Sequence, residues 1–139
     1  MTALGSRLRR APMLVGLASL AMLAACAGRS PLWGHWTVDL EATIEQARRD
    51  GIPSQAAPQI REVFAQGRIE ITEQALVMRV AGIPDALARN YRIVGEQGGC
   101  YQLEINGTPG THDYCLRGDH LLVRDPTTPL TVVFKREKE

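Results

Sequence analysis

Three cysteines, three histidines and a His-Asp dipeptide are the residues of this chain whose chemistry deserves a first look. His112 and Asp113 would make an acid–base pair only if they faced each other. In a strand, neighbouring side chains point to opposite faces, so the two form no dyad, and His112 reads as a structural residue at the end of an inward face. His35, His112 and His120 lack the spacing of a metal site, and no cysteine is left over to join them. After residue 25 the serines are Ser30 and Ser54, and neither sits in a strand–turn–helix nucleophile elbow. Asp39 reads as a helix cap rather than an acid catalyst. Asn106-Gly107-Thr108 fits the glycosylation pattern but reads as turn chemistry. The chain holds no catalytic constellation, no metal site and no cofactor motif, so an enzyme is not expected.

The cysteines say more, beginning with the first. Arg7, Arg9 and Arg10 precede an uncharged apolar run over residues 13–23, and Ala24-Ala25-Cys26 follow. That order of positive, apolar and small residues is the order of a secretory signal. The run is about half of the roughly 20 residues a spanning helix needs. Leu23-Ala24-Ala25-Cys26 resembles the lipobox of bacterial lipoproteins. The resemblance implies cleavage before Cys26, diacylglycerol on its sulfur and an acylated new amino terminus, and more than one acyl chain holds a protein firmly at a membrane. Ala27 in place of Asp implies transfer to the outer membrane, on its periplasmic face. The chain then divides into a signal peptide, 1–25, a lipidated tether, 26–31, and a single domain, 32–139.

Cleavage changes the charge. The whole chain has 16 Lys+Arg against 15 Asp+Glu; losing Arg7, Arg9 and Arg10 leaves 13 against 15, a net charge of about −2. No run of basic residues marks a nucleic-acid partner. With 114 residues left of 139, the chain is long enough for one modest core. If Cys26 carries lipid, Cys100 and Cys115 remain as an even pair in an oxidising compartment, which favours a disulfide.

Which elements would position that pair follows from the hydropathy pattern. Residues 32–39 read as a strand rich in aromatic and β-branched side chains. Asp39 caps a helix over residues 40–50 with Leu40, Ile44 and Ala47 at helical spacing and Gly51 as its stop. A second helix starts near Pro58, with Ile60, Val63 and Phe64 on its buried face, and ends at Gly67. From Arg68 the period changes to two. Strands are expected over 68–72, 76–81, 89–94, 100–105, 111–117, 120–124 and 130–136, with 95–99 as a glycine-rich turn and 137–139 as a frayed tail. Eight short strands at regular spacing, interrupted by a two-helix insert after the first, give a mainly β (α+β) antiparallel meander, closed or half-open as a barrel.

The fifth and sixth strands permit a register test. Placing Cys100 opposite Cys115 puts Gln102 opposite Asp113 and Glu104 opposite Thr111, with Gly107-Thr108 as a two-residue type II′ turn. One face is then polar, and the other holds Tyr101, Leu103, Ile105, Tyr114, Leu116 and His112. Turn chemistry and face alternation both agree with a cross-strand disulfide on the wetter face.

Gly34-His35-Trp36 resembles the G-x-W signature on the first strand of lipocalin-like (calycin) barrels. In that family the tryptophan packs against an arginine of the last strand, which implies a Trp36–Arg136 cation–π pair here, typically worth about 0.5–2 kcal/mol. The helices after strand one and the short strands depart from the family and resemble small lipocalin-like envelope lipoproteins. The function implied is a lipid-anchored envelope protein binding a small apolar ligand or lipid, with Tyr91, Tyr101, Tyr114 and His112 as candidates to line its pocket. The alternative is a protein-interaction or inhibitor module displayed at the envelope. Partners are therefore the membrane, through the lipid anchor, and either an apolar ligand or an envelope protein.

Overall fold

A computed structural model describes residues 28–138. The expected signal segment, the expected lipidation site Cys26, and Ala27 lie outside the described residues, as does Glu139. Alternating side chains from Gly34 onward produce eight strands: β1 Gly34–Val38, β2 Arg68–Ile71, β3 Ala75–Arg79, β4 Leu87–Gln97, β5 Cys100–Ile105, β6 Thr111–Arg117, β7 His120–Arg124 and β8 Thr131–Arg136. Each pairs antiparallel with the next, and β8 returns to β1 to close the barrel. The inward positions, among them Trp36, Ile71, Leu76, Leu103 and Leu121, are at most 1% exposed and pack as one cluster. The barrel interior is thus a filled core.

Between β1 and β2 run helix α1, Leu40–Arg49, a 3₁₀ turn at Ser54–Ala56, and helix α2, Ala57–Phe64. Asp39 caps α1 by accepting from the Ala42 N–H at 3.1 Å, while Glu41 in the first turn and Arg48 and Arg49 in the last suit the helix dipole. Fully buried Thr43 docks α1 on the barrel. Its Oγ1 accepts from the Val133 N–H at 3.0 Å and lies within bonding distance of the Asp39 and Val133 carbonyls. The Asp39 N–H also donates to the Val133 carbonyl, at 2.8 Å. Where β1 runs out at Val38, the start of the helix therefore takes over the bonding that a longer strand would have given β8.

Several boundaries differ from the sequence reading. The fourth strand continues through 95–97, and Gly98-Gly99 alone make the turn, both with positive φ, as a two-residue type I′ hairpin requires. Gly95 is no breaker there. It follows a register shift after Ile93, and a Cβ on it would lie 2.6 Å from the Gln102 side chain. In the next hairpin the pairing ends at Glu104–Thr111, so the loop is longer than two residues. Its first turn is closed by the Thr108 N–H to the Ile105 carbonyl, with Gly107 third in the turn at φ 83°, where a type II turn places glycine. Val63 is 52% exposed rather than buried: of the three apolar residues expected on the covered face of α2, Ile60 is buried and Phe64 half-buried. Glu137 is not frayed. Its N–H donates to the His35 carbonyl and its carboxylate accepts from Thr37 Oγ1.

Candidate functional site

The G-x-W residues and the last strand meet at one end of the barrel. Trp36 and Arg136 are directly paired on β1 and β8, and the guanidinium carbon lies 4.1 Å from the ring centroid. Trp36 is fully buried and its indole N–H donates to the Leu32 carbonyl at 2.9 Å. Arg136 donates to the carbonyls of Trp33, at 3.0 Å, and Pro31, at 2.6 Å. The arginine therefore holds the segment before β1 across the barrel end. Gly34 makes room for it: the residue has φ 135°, and a Cβ there would lie 2.9 Å from Arg136 Nη1. The positive φ favours glycine at this position, and the missing Cβ leaves room for the Nη1 that bonds the Trp33 carbonyl.

Beside this closure lies an open groove of about 1190 Å³, bordered by residues 29–31, the start of β1, and the outward side chains of β2 and β3. Its charges are unlike those of the rest of the domain. Arg29, Arg68, Arg79, Arg136 and Lys138 line it against Glu70, Asp119 and Glu137, which is five against three, or +2. The other described residues hold eight basic against eleven acidic side chains, or −3. Arg68 and Arg79 stand directly opposite each other on neighbouring strands, and like charges in that position repel. The sequence reading found no basic cluster because these five residues are scattered from position 29 to position 138; barrel closure gathers them.

The cysteine pair behaves as its register requires. Cys100 and Cys115 are directly opposed and disulfide-bonded, with Gln102–Asp113 and Glu104–Thr111 following in step. Both cysteines are half-buried, while Tyr101, Leu103, Ile105, His112 and Tyr114 on the other face are buried.

The four residues named for an apolar pocket do not converge on one. Tyr101 and Tyr114 are a directly opposed pair inside the core, and burial pushes the Tyr114 phenol far above its usual range. His112 is buried opposite Leu103, with Nε2 3.0 Å from Thr108 Oγ1, so it braces the hairpin loop. Tyr91 borders an open surface depression of about 600 Å³ with Arg92, Glu104 and Thr111, and its hydroxyl donates to the Thr72 carbonyl at 2.5 Å. Alternation identified the inward faces of the fifth and sixth strands correctly, not the burial of Ile93, and carries no measure of how much space those faces enclose.

The other titratable groups are engaged structurally. Asp39 caps α1 with one oxygen and meets His120 Nε2 with the other at 3.2 Å, and His120 Nδ1 lies 3.0 Å from Asp119. The Ala42 N–H, followed by His120, holds the Asp39 carboxyl below the ordinary carboxylate range. Sequence reasoning found the cap and missed the histidine, which lies 81 positions away. Among the described residues there is no metal-binding group of three His, Cys, Asp or Glu, and no helix is long and apolar enough to cross a membrane. Comparison with family models, curated proteins and solved structures returned no match to this chain.

Proposed function

We propose that the chain is an envelope lipoprotein, anchored through Cys26 at the periplasmic face of the outer membrane, whose barrel is a protein-interaction module. The observation that carries this reading is the surface of β4. Ile93 shares a sheet face with its direct partner Leu103, which is fully buried, yet Ile93 is 41% exposed. Val94, added by the register shift, is 46% exposed, and Leu87, at the far end of the same strand, and Ile83, before it, are 38% and 47% exposed. The adjacent Ile93 and Val94, uncovered on a strand whose partner Leu103 is fully buried, support a surface that a partner would cover. An apolar small ligand is the weaker reading, because the inward side chains pack against one another and the grooves described above are open and polar-edged.

A photo-crosslinking amino acid placed at Val94 in the producing bacterium is expected to yield one discrete protein adduct, and the same probe at exposed Glu45 on α1 none. Ile93→Asp, introduced beside the probe, should abolish that adduct while the thermal transition is retained. Equal labelling from both positions, or an adduct indifferent to Ile93→Asp, would defeat the reading. A lipid that co-purifies stoichiometrically in native mass spectrometry would favour the small-ligand alternative.

A further inference from the structure

We propose that the basic groove beside the Trp36–Arg136 closure is a docking surface for anionic phospholipid head groups and turns that end of the barrel toward the membrane. The inference rests on the lipid-anchor reading for the membrane's being near, and on the groove's own charges for what it would contact. Arg29 lines the groove three residues after Cys26. Whatever path the intervening chain takes, it spans at most about 11 Å, so an acyl chain on Cys26 would bring bilayer phosphates within reach of the groove.

The charges there are arranged for an external anion. Arg68 faces Arg79 directly across the β2–β3 ladder, and among the described residues no carboxylate pairs with Arg79. The three acidic side chains already have neighbours: Glu137 with Arg68 at 3.3 Å, Asp119 with His120, and Glu70 with His35 at 3.9 Å. Arg136 bonds carbonyls and a ring, which satisfy its N–H groups without cancelling its charge. Trp33, half-buried, lines the same groove, and tryptophan beside basic residues is the composition of a membrane-interface surface. With −3 on the remaining described residues and +2 in the groove, an anionic surface attracts this end of the domain and repels the rest.

The two tryptophans supply the measurement. Trp36 is fully buried, so quenching by neutral acrylamide reports on Trp33. The full chain, produced in a bacterial membrane and reconstituted, is compared in vesicles of phosphatidylcholine alone and in equal parts phosphatidylcholine and phosphatidylglycerol. Trp33 is expected to be shielded several-fold more in the mixed vesicles, and each of Arg68→Gln and Arg79→Gln to weaken that effect about five-fold in a titration of anionic lipid. Inorganic phosphate added to the neutral vesicles should not reproduce the shielding. Equal shielding in both vesicles, or none in either, would overturn the proposal, and shielding by inorganic phosphate would assign the groove to a free anion. The mass of the Cys26 peptide is read separately. A diacylglycerol adduct without anionic shielding leaves the anchor and removes the groove's role, whereas anionic shielding without an adduct does the reverse.

Discussion

Gly34 and Arg136 depend on each other. The glycine is needed both for its backbone angle and because a Cβ would crowd the guanidinium at 2.9 Å. Gly34→Ala is expected to cost about 1–3 kcal/mol of stability from backbone strain and crowding. Arg136→Ala should cost about 1–2 kcal/mol, since its bonds to Pro31 and Trp33 are on the exposed side and only partly shielded from water. The double variant should lose less than the two single losses added together, because the crowding vanishes with the arginine. Urea unfolding of the four proteins measures this, and simple additivity would show that the two residues act independently. At the same scale, Asp39 ties stability to pH. Its folded carboxyl titrates below the ordinary value because the Ala42 N–H, and then His120, favour the charged form. The folded state therefore binds fewer protons than the unfolded one. The resulting stability is present in full above about pH 4 and is lost as pH falls through the folded value. Asp125, held low by Thr127, adds with the same sign. Thermal midpoints taken down to about pH 2 should fall more steeply for the wild type than for Asp39→Asn, which keeps a capping side chain but has no charge to lose.

The β5–β6 hairpin shows what register can carry. Its disulfide closes a loop with a sequence separation of 15, which in the chain-entropy account contributes about 3 kcal/mol. The Cys100→Ser, Cys115→Ser double variant is expected to unfold at lower urea by roughly that amount, and reductant should shift the wild type to the same place. Helix α1 depends on a different device. Thr43→Val keeps the volume but leaves the buried Val133 N–H without its acceptor, for an expected loss of about 1–3 kcal/mol. The contrast between these elements explains what could be read beforehand. Cys100, Cys115 and the alternation around them report the pairing directly, because period two leaves one register that buries the apolar face. Trp36 and Arg136 were legible as a pair through the resemblance of Gly34-His35-Trp36 to the G-x-W signature, since nothing in their spacing alone brings them together. Thr43 was not, since a threonine inside a helix looks neutral until the strand it serves is known to stop short. Gly95 misled because a glycine within a strand and a glycine ending one are the same letter. The groove was legible only in part: Arg68 and Arg79 face each other across a hairpin that the alternation predicts, but Arg29, Arg136 and Lys138 join them only after β8 pairs with β1.

At the scale of the whole molecule, that pairing is also the barrel's thinnest seam. β1 and β8 share three directly paired positions, Trp36–Arg136, Thr37–Lys135 and Val38–Phe134, whereas β7 and β8 share five and β5 and β6 share five with a covalent bridge. Local opening should therefore begin between β1 and β8, with the Arg136 bonds at one end of the seam and the Thr43 bonds at the other as its two clasps. Native-state hydrogen exchange tests this. The amides of Asp39 and Glu137, which bond across the seam, and of Val133, which bonds to Thr43 beside it, are expected to exchange through a sub-global opening, with weaker dependence on denaturant than the amides of Leu103 and Tyr114, which should exchange only on global unfolding. Arg136→Ala should speed exchange at the seam well beyond any change in the hairpin, and Thr43→Val should do the same from the other end. If all these amides shared one denaturant dependence, the closed barrel would open as a single unit and the seam would have no separate stability. A seam that opens first has a functional consequence, because Trp36, Arg136 and Lys138 on its borders also line the basic groove. Contact with an anionic surface would then brace the barrel at its weakest closure, and exchange at Asp39 and Glu137 should slow on anionic vesicles while exchange at Leu103 stays unchanged.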